Sequence, residues 1–266
     1  MNVSYRLTQG RLLTVFLFIL LTGAGVAALL NDYEASRAQD YGYYRYDRLR
    51  ASNGVDLHVL RTTPEHVRLQ AIESNVTATP YTGINGGFFW EGALLSIAVV
   101  NDAPLKGAPG DYGSGWYNTG VDSNLKRGTL VWDAAAQRYS VQLVSHAGEL
   151  NVTDKLRYWA QGGVSMHLAD ERSAELALTQ EQMPSYDQPH MRSALVYDQA
   201  QRLYMIVTPT RCTIAELRSA IIETLGPSGL VDGVYLDGDG SSQLQSGRIR
   251  LTGDRREVYQ MLAIVP

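Results

Sequence analysis

The longest apolar stretch lies near the start of the chain. Residues 12–30, LLTVFLFILLTGAGVAALL, carry no charge, with Arg6 and Arg11 before them and Asp32 after. A run of this length just spans a hydrocarbon core of about 30 Å, and basic residues ahead of it favour a cytoplasmic N-terminus. The alternative is a cleaved signal peptide with a small-residue site at Ala35–Ala38. Residues 1–31 are therefore read as a transmembrane anchor or a signal peptide. Residues 32–50 read as a polar, tyrosine-rich linker merging into the first strand, and 51–266 as one exported domain. The domain is expected on the extracytoplasmic side of a membrane, periplasmic or extracellular, and secreted if the leader is cut.

Beyond residue 50 the pattern breaks into short strand-like segments. VDLHVLR (55–61) and VRLQAIE (67–73) flank a proline-containing turn and predict a hairpin. GTLVWD (128–133) with RYSVQLVS (138–145), and SALVYD (193–198) with RLYMIVTP (202–209), predict two more. One helix stands out: Thr213 with Glu216 forms a capping box, Ile214, Leu217, Ile221, Ile222 and Leu225 give an apolar face, and Gly226-Pro227 stops it. DGVYLD (232–237) and REVYQMLAIVP (256–266) are further strands. The expected fold is α+β, a mixed, largely antiparallel sheet with a few packed helices, single-domain after the membrane segment.

Composition narrows the partners. With 23 basic against 27 acidic residues and no basic stripe, nucleic acid is not expected as a ligand. The single cysteine, Cys212, excludes an intramolecular disulfide and a thiolate metal cluster, and reads as a small buried hydrophobe. The glycines bunch in INGGFFWEG (84–92), KGAPGDYGSGWYNTG (106–120) and WAQGGVSM (159–166), as if several loops brought backbone to one pocket.

Three segments carry candidate chemistry. In LDGDGSS (236–242) a strand ends in Asp237, with Asp239 two residues on and the hydroxyls of Ser241 and Ser242 following. An EF-hand register fails, because Ser242 and Arg248 fall where Gly and Glu are needed. A looser divalent-cation site on Asp237 and Asp239 or a structural Asx turn stays open. In INGGFF, Asn85 precedes Gly86 and Gly87, whose amides suit an anion nest, and Phe88 and Phe89 read as core anchors. In PHMRSAL, His190 and Arg192 share a strand face. Arg192 suits a bidentate grip on phosphate or carboxylate, and His190 is a candidate proton donor or shuttle. Arg211 is a further anion ligand. His58, His66, His146 and His167 form no zinc pattern, and no G-x-S-x-G elbow is present.

INGGFF, QGGV, HMRSAL and LDGDGSS, in this order, resemble the phosphodiester glycosidase (uncovering-enzyme-like, NAGPA) family over roughly residues 55–266. The pattern differs at Asp239 (usually Gly), Val164 (usually Pro) and Ser193 (usually Thr). The resemblance implies hydrolysis of a sugar-1-phosphodiester at the glycosidic C–O bond; with the exported domain, the expected substrate is a glycosyl-phosphate linkage in an envelope or extracellular polysaccharide. It implies Asp237 as first catalytic carboxylate and Asp239 as second. It also implies His190, Arg192 and the Gly86–Gly87 nest around the phosphate, with Asn85 and Gln161–Gly162 near the sugar. A glycan-binding or exopolysaccharide-assembly accessory protein without turnover, and a metal-dependent phosphodiesterase cutting P–O, are the competing readings.

Overall fold

The computed structural model describes residues 39–266. The apolar run at 12–30 and the site at Ala35–Ala38 lie outside the described residues. Among the described residues no helix is long and apolar enough to cross a membrane.

The first strands are β1 (Gln39–Asp40), β2 (Tyr44–Arg50), β3 (Asp56–Thr62), β4 (Val67–Ser74) and β5 (Thr82–Asn85). Four short ones follow, β6 (Phe89–Trp90), β7 (Ala93–Leu94), β8 (Ala98–Val100) and β9 (Ala103–Pro104). Next come β10 (Arg127–Asp133), β11 (Arg138–Val144), β12 (Tyr158–Gly162) and β13 (Val164–Ser165), then helix α1 (Glu171–Gln180). The hairpin β14 (His190–Asp198) and β15 (Leu203–Cys212) leads into helix α2 (Ile214–Leu225). β16 (Leu230–Tyr235), β17 (Leu244–Gln245), β18 (Arg250–Leu251) and β19 (Val258–Ile264) complete the set. Seven strands form one sheet, β1-β2-β3-β15-β14-β16-β13, and two five-stranded sheets run β11-β10-β12-β8-β9 and β18-β17-β5-β19-β4, with β6 and β7 paired apart. These pairings are all antiparallel. The parallel component expected of a mixed sheet is reduced to a bridge between Leu94 and Ser114.

The large sheet is covered on both faces. Leu60, Leu195, Met205 and Val234 pack with Ile84, Leu130 and Leu262 of the smaller sheets. Val59, Ala194, Val196 and Ile206 pack on the other side with Ile214, Leu217 and Ile221 of α2. A strand covered on both faces needs apolar residues at every position, which is why Ala194–Tyr197 and Leu203–Val207 are buried without alternation. The expected capping box of α2 forms, with Thr213 Oγ1 accepting from the Glu216 amide. Helix α1 went unforeseen. Asp170 caps its first turn, but only Ala174 and Ala177 are buried, so its apolar stripe is too thin to read from spacing.

Two sequence expectations need correction. The segments 55–61 and 67–73 are not a hairpin: β3 pairs with β2 and β15, and β4 pairs with β19. The 3-10 turn Pro64–His66 redirects the chain, and Val265 donates its amide to the His66 carbonyl, which docks the C-terminal strand there instead. Within the presumed linker, Tyr44–Arg50 already form a strand whose Tyr44 and Tyr46 are buried in the core.

Candidate active site

The large sheet delivers Asp237 to its position. β16 ends at Tyr235, and the Leu236 amide still donates to Ser193 O at 2.9 Å, so the chain follows β14 for one more residue before turning. Asn85, at the end of β5, then holds the turn. Its Nδ2 donates to the Asp237 carbonyl at 2.9 Å, and its Oδ1 accepts from Ser193 Oγ at 2.7 Å and from the Gln243 amide at 3.2 Å. Asp237 keeps a partial opening onto a cleft. Burial of its carboxyl is nonetheless the dominant influence and pushes the pKa up to about 6, against the Ser241 hydroxyl, the Gly238 amide at 3.0 Å and the Arg256 charge, which favour the anion. Ser241 faces the carboxyl without closing an aligned hydrogen bond to it.

This raised pKa has a stability signature. Below the ordinary value of 3.8 the carboxyl is neutral in both states; between 3.8 and about 6 the folded chain keeps the proton that the unfolded chain has lost. Folding stability is therefore lost as pH rises across that window. Chemical denaturation of wild type and Asp237→Asn at a series of pH values should show the variant gaining relative stability through the window. A difference that stays flat with pH would refute the shift.

The cleft, about 160 Å³, is lined by Asp237, Gly238, Asp239, His190, Arg192 and Arg256, with Phe88 and Met183–Ser185 forming the rest of its wall. Arg192 and Asp237 thus share one cleft, but Arg192 is not free to grip a phosphate in both directions. It is 3% exposed, its Nε donates to Cys212 O at 3.1 Å, and Nη2 donates to Ser185 O and Gln188 O at 2.6 Å each. The guanidinium fastens the loop that walls the cleft. Asp239 stands at φ +51°, a left-handed conformation uncommon for a residue with a Cβ. Its Oδ1 meets His190 Nδ1 at 3.1 Å and Arg211 Nη2 at 3.6 Å, and its Oδ2 lies 4.0 Å from Arg256 Nη2. The His190 bond, with Arg211 behind it, holds the Asp239 carboxyl below the usual carboxylate range.

Other expected residues lie elsewhere. The nest at Gly86–Gly87 does not form: neither residue has positive φ, and their amides donate to Gln260 O at 2.9 Å and Gln260 Oε1 at 3.2 Å. Gln161 is fully buried, donating to Gly162 O at 2.9 Å and accepting from Gln260 Nε2. Gly162 packs against Asn118, leaving no room for a side chain. Gly86, Gly87 and Gly162 therefore serve close packing, and of the three Gly-rich segments only 84–92 reaches the cleft, through Phe88. Ser241 and Ser242 are buried behind Asp237 rather than on the cleft wall. Cys212 is buried, its thiol pushed up to about 11 by that burial. Among the described residues no group of three or more His, Cys, Asp or Glu is arranged to hold a metal ion. Arg256 was overlooked as a site residue. The turn before it places it: Asp254 binds it through Nε at 3.0 Å and Nη2 at 2.5 Å, and Gln243 Nε2 donates to its carbonyl at 2.9 Å. The one sequence signal was the acidic-basic cluster Asp254–Glu257 before the last strand.

The antiparallel α+β domain thus sets the strand-end carboxyl of Asp237 in one cleft with the side chains of His190, Arg192 and Arg256. The family model for phosphodiester glycosidase, NAGPA, matches residues 80–265, and the chain belongs to that family. Its fold is similar to the zebrafish N-acetylglucosamine-1-phosphodiester alpha-N-acetylglucosaminidase catalytic domain auto-inhibited by its pro-peptide, at TM-score 0.54 and 13% identity over 83% of this chain and 81% of that one. A putative exported protein from Burkholderia pseudomallei is similar at TM-score 0.50 and 14% identity, over 80% of this chain and 74% of that one. Comparison with curated proteins finds no match.

Proposed function

We propose that the protein hydrolyses sugar-1-phosphodiesters by cutting the glycosidic C–O bond, with Asp237 as the working carboxylate. One observation carries the reading: Asp237 shares its cleft with His190, Arg192 and Arg256, so a carboxyl of tunable charge faces a cationic wall. The leaving group is a phosphate, already anionic, so anion stabilisation matters more than protonation of the departing oxygen. Asp237 in its ionised form takes a proton from water as the water oxygen bonds to the anomeric carbon. The electron pair of the broken C–O bond leaves with the phosphate. His190, Arg211 and Arg256 lie on the phosphate side. Family membership supports the reaction class, and the apolar run at 12–30 supports an extracytoplasmic polysaccharide as the source of substrate.

Hydrolysis in ¹⁸O-labelled water tests it. Label is expected in the sugar; label in the phosphate would mean P–O cleavage and a phosphodiesterase, and sugar binding without any product would mean an accessory protein. Because Asp237 works as the anion, kcat/KM is expected to rise with pH through an apparent pKa near 6. A rate that falls through the same range would assign it the role of general acid instead.

A further inference from the structure

The cationic wall of the cleft already holds an anion of its own. Asp239 sits where His190, Arg211 and Arg256 converge, and it reaches that place from a left-handed backbone conformation. Such a conformation costs a residue with a Cβ something, though less for Asp and Asn than for most. The positive charge it meets is limited. Arg256 is bound closely by Asp254. Arg211 is ion-paired with Asp239, while the Arg192 guanidinium keeps its charge, since its partners are backbone carbonyls rather than carboxylates.

We propose that Asp239 is a specificity-determining residue that makes the cleft accept a phosphodiester and reject a phosphomonoester. A diester bears one negative charge, whereas a monoester approaches two above its second ionisation near 6. A single charge entering beside Asp239 shares Arg211 and Arg256 with it. A second charge is repelled by the Asp239 carboxylate at close range, a repulsion moderated by solvent because the Asp239 side chain is 45% exposed. The same repulsion expels the product, since cutting a glycosyl phosphodiester converts the diester into a monoester that ionises again. This rests on reading the cleft as a phosphodiester site, and it goes further in naming the residue that sets which phosphate is held.

The test uses binding, not turnover. Methyl phosphate and dimethyl phosphate are titrated calorimetrically, above about pH 7, into wild type, Asp239→Asn and Asp239→Gly. Asparagine tolerates the left-handed conformation and keeps an acceptor for His190, and glycine adopts it freely, so both variants should retain the fold. Removing the charge is expected to tighten methyl phosphate by about tenfold or more and dimethyl phosphate by less than about threefold. Equal gains for both ligands, or no gain for methyl phosphate in either variant, would overturn the assignment. If the selectivity appears but no glycosyl phosphodiester is ever cleaved, the charge discrimination stands and the glycosidase reading falls alone.

Discussion

Replacing Asp237 by Asn is expected to lower kcat on a glycosyl phosphodiester by about a thousandfold, while KM changes little. The amide is nearly isosteric. It keeps an oxygen for the Gly238 amide, and the Asn85 bond to the main-chain carbonyl is untouched, so the cleft retains its shape. What disappears is the ability to carry a negative charge and accept a proton. The carboxylate is held in a place that burial makes unfavourable for it, with a pKa near 6. Above that pH the folded protein bears the cost of a desolvated anion, and the amide does not. The variant should therefore be more stable than wild type in neutral buffer, and it should be inactive. Opposite signs in these two measurements separate a functional carboxylate from a structural one, because a structural Asp would lose stability on substitution. Turnover within a few-fold of wild type would remove Asp237 from the reaction.

How far the sequence could be read depends on how local each interaction is. Helix α2 and the hairpins β10–β11 and β14–β15 are specified by residues a few positions apart, a capping box and short polar turns, and all were legible. The partner of β4 is β19, almost two hundred positions away, and no turn signal points to it. The same distinction applies within the cleft. His190, Arg192, Asp237 and Asp239 were visible as residue types able to bind an anion or move a proton. Which of them is free to do so is decided by groups with no sequence signature. Backbone carbonyls at Ser185, Gln188 and Cys212 occupy Arg192. Gln260, an unremarked glutamine in the last strand, takes the amides of Gly86 and Gly87. The left-handed Asp239 is a further case: its conformation and its cationic neighbours are set by the turns at 237–242 and 252–256, which meet through the Asp254 amide on Gly240 O at 3.2 Å. Serine at 193, where the resemblance gives threonine, supplies the same hydroxyl to Asn85.

Asn85→Ala is expected to produce the largest loss of stability of any single substitution near the cleft. Asn85 is 1% exposed and joins three segments that are distant in sequence: β5 on which it stands, β14 through Ser193, and the turn from Asp237 to Gln243. Alanine removes all of these bonds and leaves the Asp237 carbonyl, the Gln243 amide and the Ser193 hydroxyl buried without their partner. Each unsatisfied group costs about 1–3 kcal/mol, and since they share one site the combined loss is on the order of 3–5 kcal/mol. Activity should fall as well, because the bond that fixes the main chain at Asp237 is gone. Asn85→Asp separates the contributions: it retains an acceptor for Ser193 and Gln243 but loses the donor to Asp237 and buries a charge, so it should be no more stable than the alanine variant. Denaturant unfolding together with activity normalised to the folded fraction provides the check. If Asn85→Ala unfolds within about 1 kcal/mol of wild type and yet cannot turn over substrate, then the side chain serves the sugar directly, as the motif first suggested, and the hydrogen bonds that join β5 to Asp237 contribute little to holding the fold.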